Sequence, residues 1–518
     1  MKWMMMAVAA CSLCVSGWAI ELGAPFSDGM VLQRDMKVPV WGTAAPSARV
    51  TVSFAGQTAE TTAGTNGVWR VDLKPLATSS VGRDLVVTEA APTNQTIEQS
   101  NKSNNQTILH DVLVGEVWLC AGQSNMDAPL WSGSMHYADA KGGLRGQMTR
   151  KPLVRYCKSG QVASIRPLRQ TKGRCVWRKF QPENLRAEGP CFSGVGFYFA
   201  LELHNALGIP VGVVGAYWGG TTIRAWTPPE GMETVGETKP AAKQQLLEGA
   251  AFQKKVDEAK ARGEKYLPQF HQQPSVIWNA QVFPFAPMAM RGFIWYQGET
   301  DAWFGHKYAP WLHALYNGWS KAFENPALKM RFAQLAPAGS GNLAPLMEGQ
   351  EIFAREEPNA KMAVISDRGA IHDWHPTDKE TVGMRLAALA LKYDYGWTEM
   401  KADAPTLKDW KLKDGKFVLS FDHAEGWLLY NEDWTNDNLF EVAGKDGVWH
   451  AATIDNMKVK ERKPYSSGGQ VDGKDLVVFS PEVTAPVGLR YHYQKPQVRA
   501  NLFNEIGLPL GPFRIDVK

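Results

Sequence analysis

The chain has 518 residues, of which 44% are hydrophobic and 21% are charged, a composition typical of a folded globular protein and unlike disordered or collagen-like chains. The 56 Lys and Arg residues nearly balance the 52 Asp and Glu residues, so the formal net charge of +4 does not indicate nucleic acid or an anionic membrane surface as a partner. At roughly 150 residues per domain, the length predicts two to four domains. The 20 Trp residues suit either bulky cores or the stacking of sugar rings.

The first 19 residues have the pattern of a secretory signal peptide. A positive start at Met1-Lys2 precedes an apolar stretch that ends at Gly17, and small residues Gly17 and Ala19 fit a cleavage site. We therefore predict export to the periplasm or the extracellular space. No later apolar stretch is long enough to cross a membrane, so no membrane span is expected.

The cysteines that follow the signal segment are compatible with disulfide bonds, because export leads to an oxidising compartment. Cys157 and Cys175 form the favoured pair, since each lies in a strand-like run and a basic loop separates them. Cys120 and Cys191 complete the set, and the spacing of the four fits no zinc pattern.

Hydrophobic patterning divides the chain into three regions. Residues 20–110 contain short strands with Gly, Pro and Asn-Gly turns, which predicts a small all-β domain. A polar stretch from Thr93 to Thr107 is interpreted as a surface loop or linker. Residues 111–397 alternate strands with helices and have insertions near 130–190 and 230–275, and residues 398–518 return to a β-sandwich-like pattern.

The middle region is predicted to be a doubly wound parallel α/β domain, because strand and helix patterns alternate along it. Its predicted strands are Val112–Cys120, Val211–Tyr217, Gly292–Tyr296 and Met362–Ser366. Its predicted helices are Gly196–Leu207, Lys307–Phe323 and Thr381–Tyr393, with a solvent-facing helical insertion from Lys239 to Arg262. In such sheets, active sites form at the carboxyl ends of the strands, so the residues that follow each strand are the candidates.

Ser124 follows the first predicted strand within the sequence Ala121-Gly122-Gln123-Ser124. A serine on a sharp turn that opens a helix can act as a nucleophile, because its hydroxyl projects and the first helical N–H groups can face an oxyanion. Met126 breaks the Gly-x-Ser-x-Gly pattern of lipases, and a helix N-cap is the alternative interpretation.

Two further strand ends offer groups that could stabilise an oxyanion. Gly219 and Gly220 follow the second strand and could present a backbone N–H, or could simply make a tight turn. Gln297 follows the third strand, and its amide could donate to an oxyanion or fix the loop by a hydrogen bond.

His375 is the candidate general base, because it follows the fourth predicted strand and most other histidines do not follow such strands. Asp373 lies two residues earlier in an extended loop, where its carboxylate could orient the imidazole. A metal site built on His372, Asp373 and His375 is the competing interpretation, but no further cluster completes four-coordination.

Together these four segments resemble the SGNH hydrolase superfamily, and the strings narrow the resemblance to the sialate O-acetylesterase family. The strings are Gly115–Met126, Gly219-Gly220-Thr221 with Trp226, Trp295–Glu299, and Asp373-Trp374-His375-Pro376 followed by Lys379, Gly383 and Arg385-Leu386-Ala387. Phe26–Arg34 and the C-terminal β region are similar to that family as well. The resemblance implies an SGNH-type sheet flanked by N- and C-terminal all-β regions.

The resemblance also implies a serine esterase that needs no metal or organic cofactor and acts on O-acetylated sialic acids, chiefly at the 9-hydroxyl. Ser124, His375 and Asp373 would be catalytic, and the N–H groups of Ser124 and Gly219 or Gly220, with Gln297, would hold the oxyanion. The superfamily places its acid three residues before the histidine, where this chain has His372. Asp367 or Glu299 could therefore replace Asp373, or the site could work as a Ser–His pair.

Two other functions remain open from sequence. One is deacetylation of a plant polysaccharide, as by an acetyl xylan esterase. The other is glycan binding on an inactive hydrolase scaffold, which the two β regions and the many Trp residues would suit.

Overall fold

The fold is taken from a computed structural model, in which most of the chain after residue 19 is described. The described residues are 20–90, 105–129, 152–173, 175–180, 192–235, 242–264, 269–338, 343–369, 374–430, 439–459, 468–471, 473–493 and 499–517. The predicted signal peptide, Asp373 and Cys191 lie outside them. No helix within the described ranges is both long and apolar enough to cross a membrane.

A parallel sheet forms the centre of the molecule. In spatial order its strands are Arg178–Lys179, Val154–Lys158, Val211–Tyr217, Asn105–Gly122, Gly292–Tyr296, Lys329–Ala333 and Ala360–Ala363. All neighbours are parallel except the first pair, which is antiparallel. The inner strands are continuous apolar runs, as expected for strands covered on both faces. These strands confirm the predicted α/β class of the middle region.

The strands of the N-terminal region form two groups. One group is a separate antiparallel sheet of Glu21–Leu22, Val38–Thr43 and Val68–Leu73. The other group is joined to the central sheet and consists of Val31–Gln33, Arg49–Phe54, Gln57–Thr62 and Ser79–Ala90. Val31–Gln33 pairs parallel with Leu113–Gly115 in the middle of Asn105–Gly122, and Ser79–Ala90 pairs antiparallel with residues 105–114 of the same strand. That strand therefore crosses the predicted boundary at residues 110 and 111. It also begins within the stretch assigned to a loop, because pairing with Ser79–Ala90 satisfies the backbone of a polar sequence.

Helices accompany the strands of the middle region. The α-helices are Ser124–Asp127, Gly194–Leu207, Ile223–Trp226, Pro229–Met232, Ala242–Ala261, Tyr308–Ala322, Ala344–Glu356 and Lys379–Asp394. Tighter or wider turns occur at Phe270–Gln272, Trp278–Val282, Phe283–Phe285 and Glu299–Lys307. The predicted helices are confirmed to within a few residues. The Asp378 side chain caps the last helix by accepting from the Thr381 N–H at 2.9 Å.

The described residues of the C-terminal region form three four-stranded antiparallel sheets. Their strands are Thr406–Lys413, Lys416–Asp422, Leu428–Tyr430, Phe440–Ala443, Trp449–Ala451, Thr453–Ile454, Met457–Val459, Gly468–Val471, Leu476–Phe479, Gly488–Tyr491, Leu502–Phe503 and Phe513–Asp516. A separate hydrophobic core lies between Phe417 and Ile515, whereas a larger core unites residues 20–402. The N-terminal region thus shares its core with the α/β region.

Besides the strand Asn105–Gly122, two elements differ from the sequence prediction. The fourth predicted strand, Met362–Ser366, is found at Ala360–Ala363, because its register is set by pairing with Lys329–Ala333. Val154–Lys158 belongs to the central sheet and not to an insertion. Its Arg155 interrupts the apolar pattern, yet is buried with its guanidinium 3.0 Å from the carboxylate of Asp111.

Cys157 and Cys175 form a disulfide bond, as predicted, with their Cα atoms 5.5 Å apart. Cys157 is the last but one residue of strand Val154–Lys158, and Cys175 precedes the short strand Arg178–Lys179. The bond therefore closes the loop between two paired strands. Cys120 is a buried free thiol.

Glu116 connects the N-terminal region, the central sheet and the last helix. It accepts hydrogen bonds from Gln33 (3.0 Å), Arg34 (2.6 Å), Arg291 (3.1 Å) and Tyr395 (3.0 Å). Although burial raises the pKa of Glu116, the hydrogen bonds from Arg291, Arg34 and Gln33 lower it overall. The carboxylate therefore remains charged inside the protein.

We expect Glu116→Gln to lower the free energy of unfolding by about 3–5 kcal/mol at neutral pH, because Arg291 would lose its buried partner. Thermal unfolding measures the loss. Glu324→Gln, which breaks an exposed ion pair with Arg70, is the matched control and should cost less than about 1 kcal/mol. Equal losses in the two variants would contradict a central role for Glu116.

Candidate active site

Ser124 stands at the carboxyl end of the central strand Asn105–Gly122, at the first residue of the short helix Ser124–Asp127. The turn requires glycine at position 122, where φ is +145° and a Cβ atom would lie 2.1 Å from the Tyr296 carbonyl oxygen. Gln123 then bonds back to the same carbonyl at 3.1 Å. This close approach of two parallel strands fixes the direction in which the chain presents Ser124.

His375 lies beside Ser124, as the sequence analysis predicts. The distance between His375 Nε2 and Ser124 Oγ is 2.9 Å, which is hydrogen-bond distance for proton transfer from the hydroxyl to the imidazole. Ser124 is half-buried and His375 is exposed, so a substrate can reach the pair from solvent. Asp373 lies outside the described residues, and its role stays a prediction.

The two glycines that follow strand Val211–Tyr217 differ in their surroundings. A Cβ atom on Gly219 would lie 3.4 Å from Ser124 Cβ, whereas the nearest atom to one on Gly220 would be His271 Nε2 at 3.8 Å. Gly220 has φ +69° and makes the turn, and its carbonyl accepts from Gln272 at 2.8 Å. Gly219 is thus the glycine adjacent to the candidate nucleophile.

The Gln297 side chain is fully buried and connects three segments. Its amide nitrogen lies within bonding distance of Gln123 Oε1 (3.0 Å), the Thr221 carbonyl (2.9 Å) and Asp301 Oδ2 (2.7 Å). The Tyr308 hydroxyl donates to Gln297 Oε1 at 2.6 Å. Three acceptors thus surround two hydrogens, so the amide has no hydrogen left for an oxyanion in this geometry. These hydrogen bonds fit the alternative role of Gln297, in which its side chain fixes the loop.

Asp301 is the acidic member of this cluster. Its Oδ2 accepts from Gln297 and also from the Ile223 N–H at 2.6 Å, so it joins the turn after Gly220 to the loop after Gln297. Burial raises the pKa of Asp301 to about 7. Sequence reasoning missed this residue, because an acid four positions after Gln297 carries no distinguishing pattern.

Asn125 is a second functional candidate that the sequence analysis missed. Its amide nitrogen donates to Glu299 Oε1 and to the Trp374 carbonyl, the latter at 2.9 Å, and its oxygen accepts from Lys379 Nζ. Burial raises the pKa of Glu299, and the hydrogen bond from Asn125 opposes that rise. The position of Asn125 directly after Ser124 is the sequence feature that could have identified it.

The alternative acids have partners of their own. Both carboxylate oxygens of Asp367 accept from Arg385, at 2.7 and 2.8 Å. Glu299 accepts from Asn125. None of these hydrogen bonds joins Asp367 or Glu299 to His375. The structure thus brings Ser124 and His375 together and places Asp367 in a separate ion pair with Arg385.

Aromatic rings occupy the same edge of the sheet. Trp218 stacks on His271 with ring centroids 4.7 Å apart, directly before Gly219. Trp303 is 70% exposed and rests on Phe304 at 3.9 Å, six residues after Gln297. Within the described ranges, no three His, Cys, Asp or Glu side chains form a group that could hold a metal, although His372 and Asp373 lie outside those ranges.

The family described as carbohydrate esterase, sialic acid-specific acetylesterase, matches residues 114–392. The sialate O-acetylesterase of Rattus norvegicus is 26% identical over 478 residues, 83% of each chain. That of Homo sapiens is 24% identical over 470 residues, which cover 83% of this chain and 80% of the human protein. A solved carbohydrate acetylesterase from Xanthomonas citri is 29% identical, with a TM-score of 0.75, and covers 96% of this chain and 100% of its own.

For Gln297→Glu we expect a loss of about 3 kcal/mol in unfolding free energy, because the variant removes buried donors and sets a carboxylate against Asp301. If the residue only fixes the loop, kcat of the folded fraction should stay within about threefold of the wild type. A joint fall of about 100-fold in kcat and kcat/KM would instead restore the oxyanion role.

Gln33→Glu is the matched control, because that buried amide also donates to a carboxylate, Glu116, at 3.0 Å. Gln33 lies opposite Gly115, which is nine residues before Ser124 in the chain, and the variant should lose comparable stability with kcat unchanged. Melting temperature and kcat are measured on the same preparations.

Proposed function

Because the chain belongs to the sialic acid-specific acetylesterase family of carbohydrate esterases, we propose that it removes acetyl groups from O-acetylated sialic acids, chiefly at the 9-hydroxyl. The general activity follows from the family: the protein is a carbohydrate acetylesterase. The position of the acetyl group and the catalytic steps are the parts that we propose. The hydrogen bond between Ser124 and His375 supports them most directly.

In the proposed mechanism, His375 takes the proton of Ser124 while the serine oxygen attacks the acetyl carbonyl. The tetrahedral intermediate expels the sugar alcohol, which receives its proton from His375. Water then repeats the attack on the acetyl-enzyme with His375 as the base, and acetate leaves. These steps need no metal or organic cofactor.

We assign the oxyanion to the backbone N–H groups of Ser124 and Gly219. Among the described hydrogen bonds, neither N–H has an acceptor, and Gly219 is the glycine adjacent to Ser124. The N–H of Ser124 also lies at a helix start, where such groups are free to bind negative charge. Gln297 can join them only by releasing one of its three protein acceptors.

Asp373 remains the proposed acid for His375. Asp367 is less suited, because both of its oxygens are bonded to Arg385. The order of the Ser, Gly, amide and His segments along the strand ends supports an SGNH-type, doubly wound arrangement. We propose export as well, for which the signal-like start and the Cys157–Cys175 disulfide are the support.

Acetyl xylan remains the second candidate substrate. The glycan-binding alternative is not retained, since the chain belongs to an esterase family and keeps the Ser124–His375 pair. The deciding experiment measures acetate released from 9-O-acetylated sialoglycan and from acetylated xylan by the same preparation. Faster release from the sialoglycan is expected, and faster release from xylan would overturn the sialate assignment.

Ser124→Ala should abolish hydrolysis of p-nitrophenyl acetate without changing the melting temperature, because the hydroxyl is partly exposed and its loss leaves no cavity. Ser320→Ala, which removes a hydroxyl bonded to the Asn325 carbonyl far from the site, should keep full activity. More than a few per cent of wild-type turnover in Ser124→Ala would remove Ser124 from the nucleophile role.

Trp303 provides a test of the carbohydrate part of the substrate. The Thr300 N–H lies 3.4 Å from Gln123 Oε1, and three residues span at most about 10 Å, so Trp303 stands near the nucleophile turn. An indole held on Phe304 with its other face open suits stacking on a sugar ring. Trp303→Ala should therefore raise KM for the glycan about tenfold or more and leave p-nitrophenyl acetate unaffected.

Trp397→Ala is the control for Trp303→Ala. Trp397 is 43% exposed and follows the far end of helix Lys379–Asp394, about 20 Å from the helix start at the site. KM for the glycan should not change in this variant. Equal changes in both variants, or none in Trp303→Ala, would remove Trp303 from the substrate site.

A further inference from the structure

We propose that Lys379, Asn125 and Glu299 form a positioning unit that holds the loop of His375 against the turn of Ser124. The inference rests on the proposed function, because it concerns how the Ser–His pair is aligned. It assigns no contact with substrate to any of the three residues. They would act through the two catalytic side chains.

In this unit, the neutral Asn125 amide lies between two charged groups, the Lys379 ammonium and the Glu299 carboxylate. Lys379 is 2% exposed and donates from Nζ to Asn125 Oδ1, and Asn125 is itself 1% exposed. The Asn125 amide nitrogen donates to Glu299 Oε1 on the other side. Turning the amide over would set its N–H₂ group against an ammonium and its oxygen against a carboxylate. The two charged neighbours therefore allow one orientation of the amide.

The orientation of the Asn125 amide also determines its hydrogen bond to the loop of His375. The same nitrogen donates to the Trp374 carbonyl at 2.9 Å, and Trp374 directly precedes His375 in the chain. Asn125 directly follows Ser124. One side chain thus spans from the residue beside the nucleophile to the residue beside the base, and the distance between the two catalytic groups depends on it.

The position of Lys379 is unfavourable for stability. It is the first residue of helix Lys379–Asp394, where the helix dipole disfavours a positive charge, and it is buried as well. A neutral residue would avoid both costs. The Lys379 Nζ lies 5.4 Å from the centre of the Tyr296 ring, a contact that offsets part of the burial. The bond to Asn125 and the attraction of the nearby Glu299 carboxylate hold the charge at this position.

The test measures kcat and KM for p-nitrophenyl acetate together with the melting temperature in Lys379→Met. Release of the amide should lower kcat about 10-fold to 100-fold with KM nearly unchanged, because a displacement of about 1 Å at the reacting groups has effects of that size. Lys392→Met is the matched control: it removes a largely buried lysine, paired with Asp403, from the other end of the same helix. It should lower the melting temperature and leave kcat within about twofold.

Asn125→Asp is a second test of the positioning role if Lys379→Met does not fold. This variant keeps a partner for Lys379 but removes the donor to the Trp374 carbonyl. Its kcat should fall by a similar factor. Asn125→Ala combined with Lys379→Met should be no slower than the slower single variant, since both break the same link.

Wild-type kcat in folded Lys379→Met or Asn125→Asp, or multiplying effects in the double variant, would overturn the positioning role alone. A wild-type protein that hydrolyses no acetyl ester would overturn the proposed function and this inference with it. The two failures are therefore distinguishable.

Discussion

The hydrogen bonds of the Gln297 amide connect the three chain segments from which the site is built. Its nitrogen reaches the side chain of Gln123 beside the nucleophile, the Thr221 carbonyl after the paired glycines, and Asp301 in its own loop. Parallel strands bring their carboxyl ends to one edge, but they do not fix the loops that follow. A buried amide with every donor used supplies that constraint, because leaving any of these groups unpaired inside the protein is costly. The geometry around Ser124 depends on this interaction.

A second buried amide, that of Asn125, has the same relation to the fourth segment. It binds the Trp374 carbonyl, so the loop of His375 is tied to the turn of Ser124 by a bond that substrate need not displace. The Gln297 amide joins the turn of Ser124 to the segment after the paired glycines, and the Asn125 amide joins that turn to the loop of His375. Both amides are neutral. They therefore fix the loops without adding net charge of their own beside Ser124, where negative charge must develop during the reaction.

Much of this site could be predicted from sequence, because apolar strands have a clear pattern and the residues after them are few. Ser124, the Gly219-Gly220 pair and His375 were selected in that way, and the structure brings Ser124 and His375 together. Strands Val211–Tyr217 and Gly292–Tyr296 have the predicted bounds. The buried contacts of Asn125 and Lys379 could not be predicted, and the two roles open to Gln297 could not be separated, because a buried amide and an exposed one have the same letter and their partners are up to 254 residues away. The fold shows the same limit: the strand-like run around Cys157 was assigned to an insertion, because its pairing with Val211–Tyr217 and the ion pair of Arg155 with Asp111 join residues that are distant in sequence.

The continuous strand Asn105–Gly122 also affects how the protein can be divided. Its first half belongs to the sheet of the N-terminal region, and its last residues form the turn that carries Ser124. At about 3.3 Å per residue, the contour of its 18 residues is roughly 60 Å, with an irregularity at Asp111, where φ is +58°. A truncation at the apparent domain boundary would cut this strand and expose the shared core. The N-terminal region is therefore a foundation of the catalytic region, and it cannot be exchanged between proteins as an independent module.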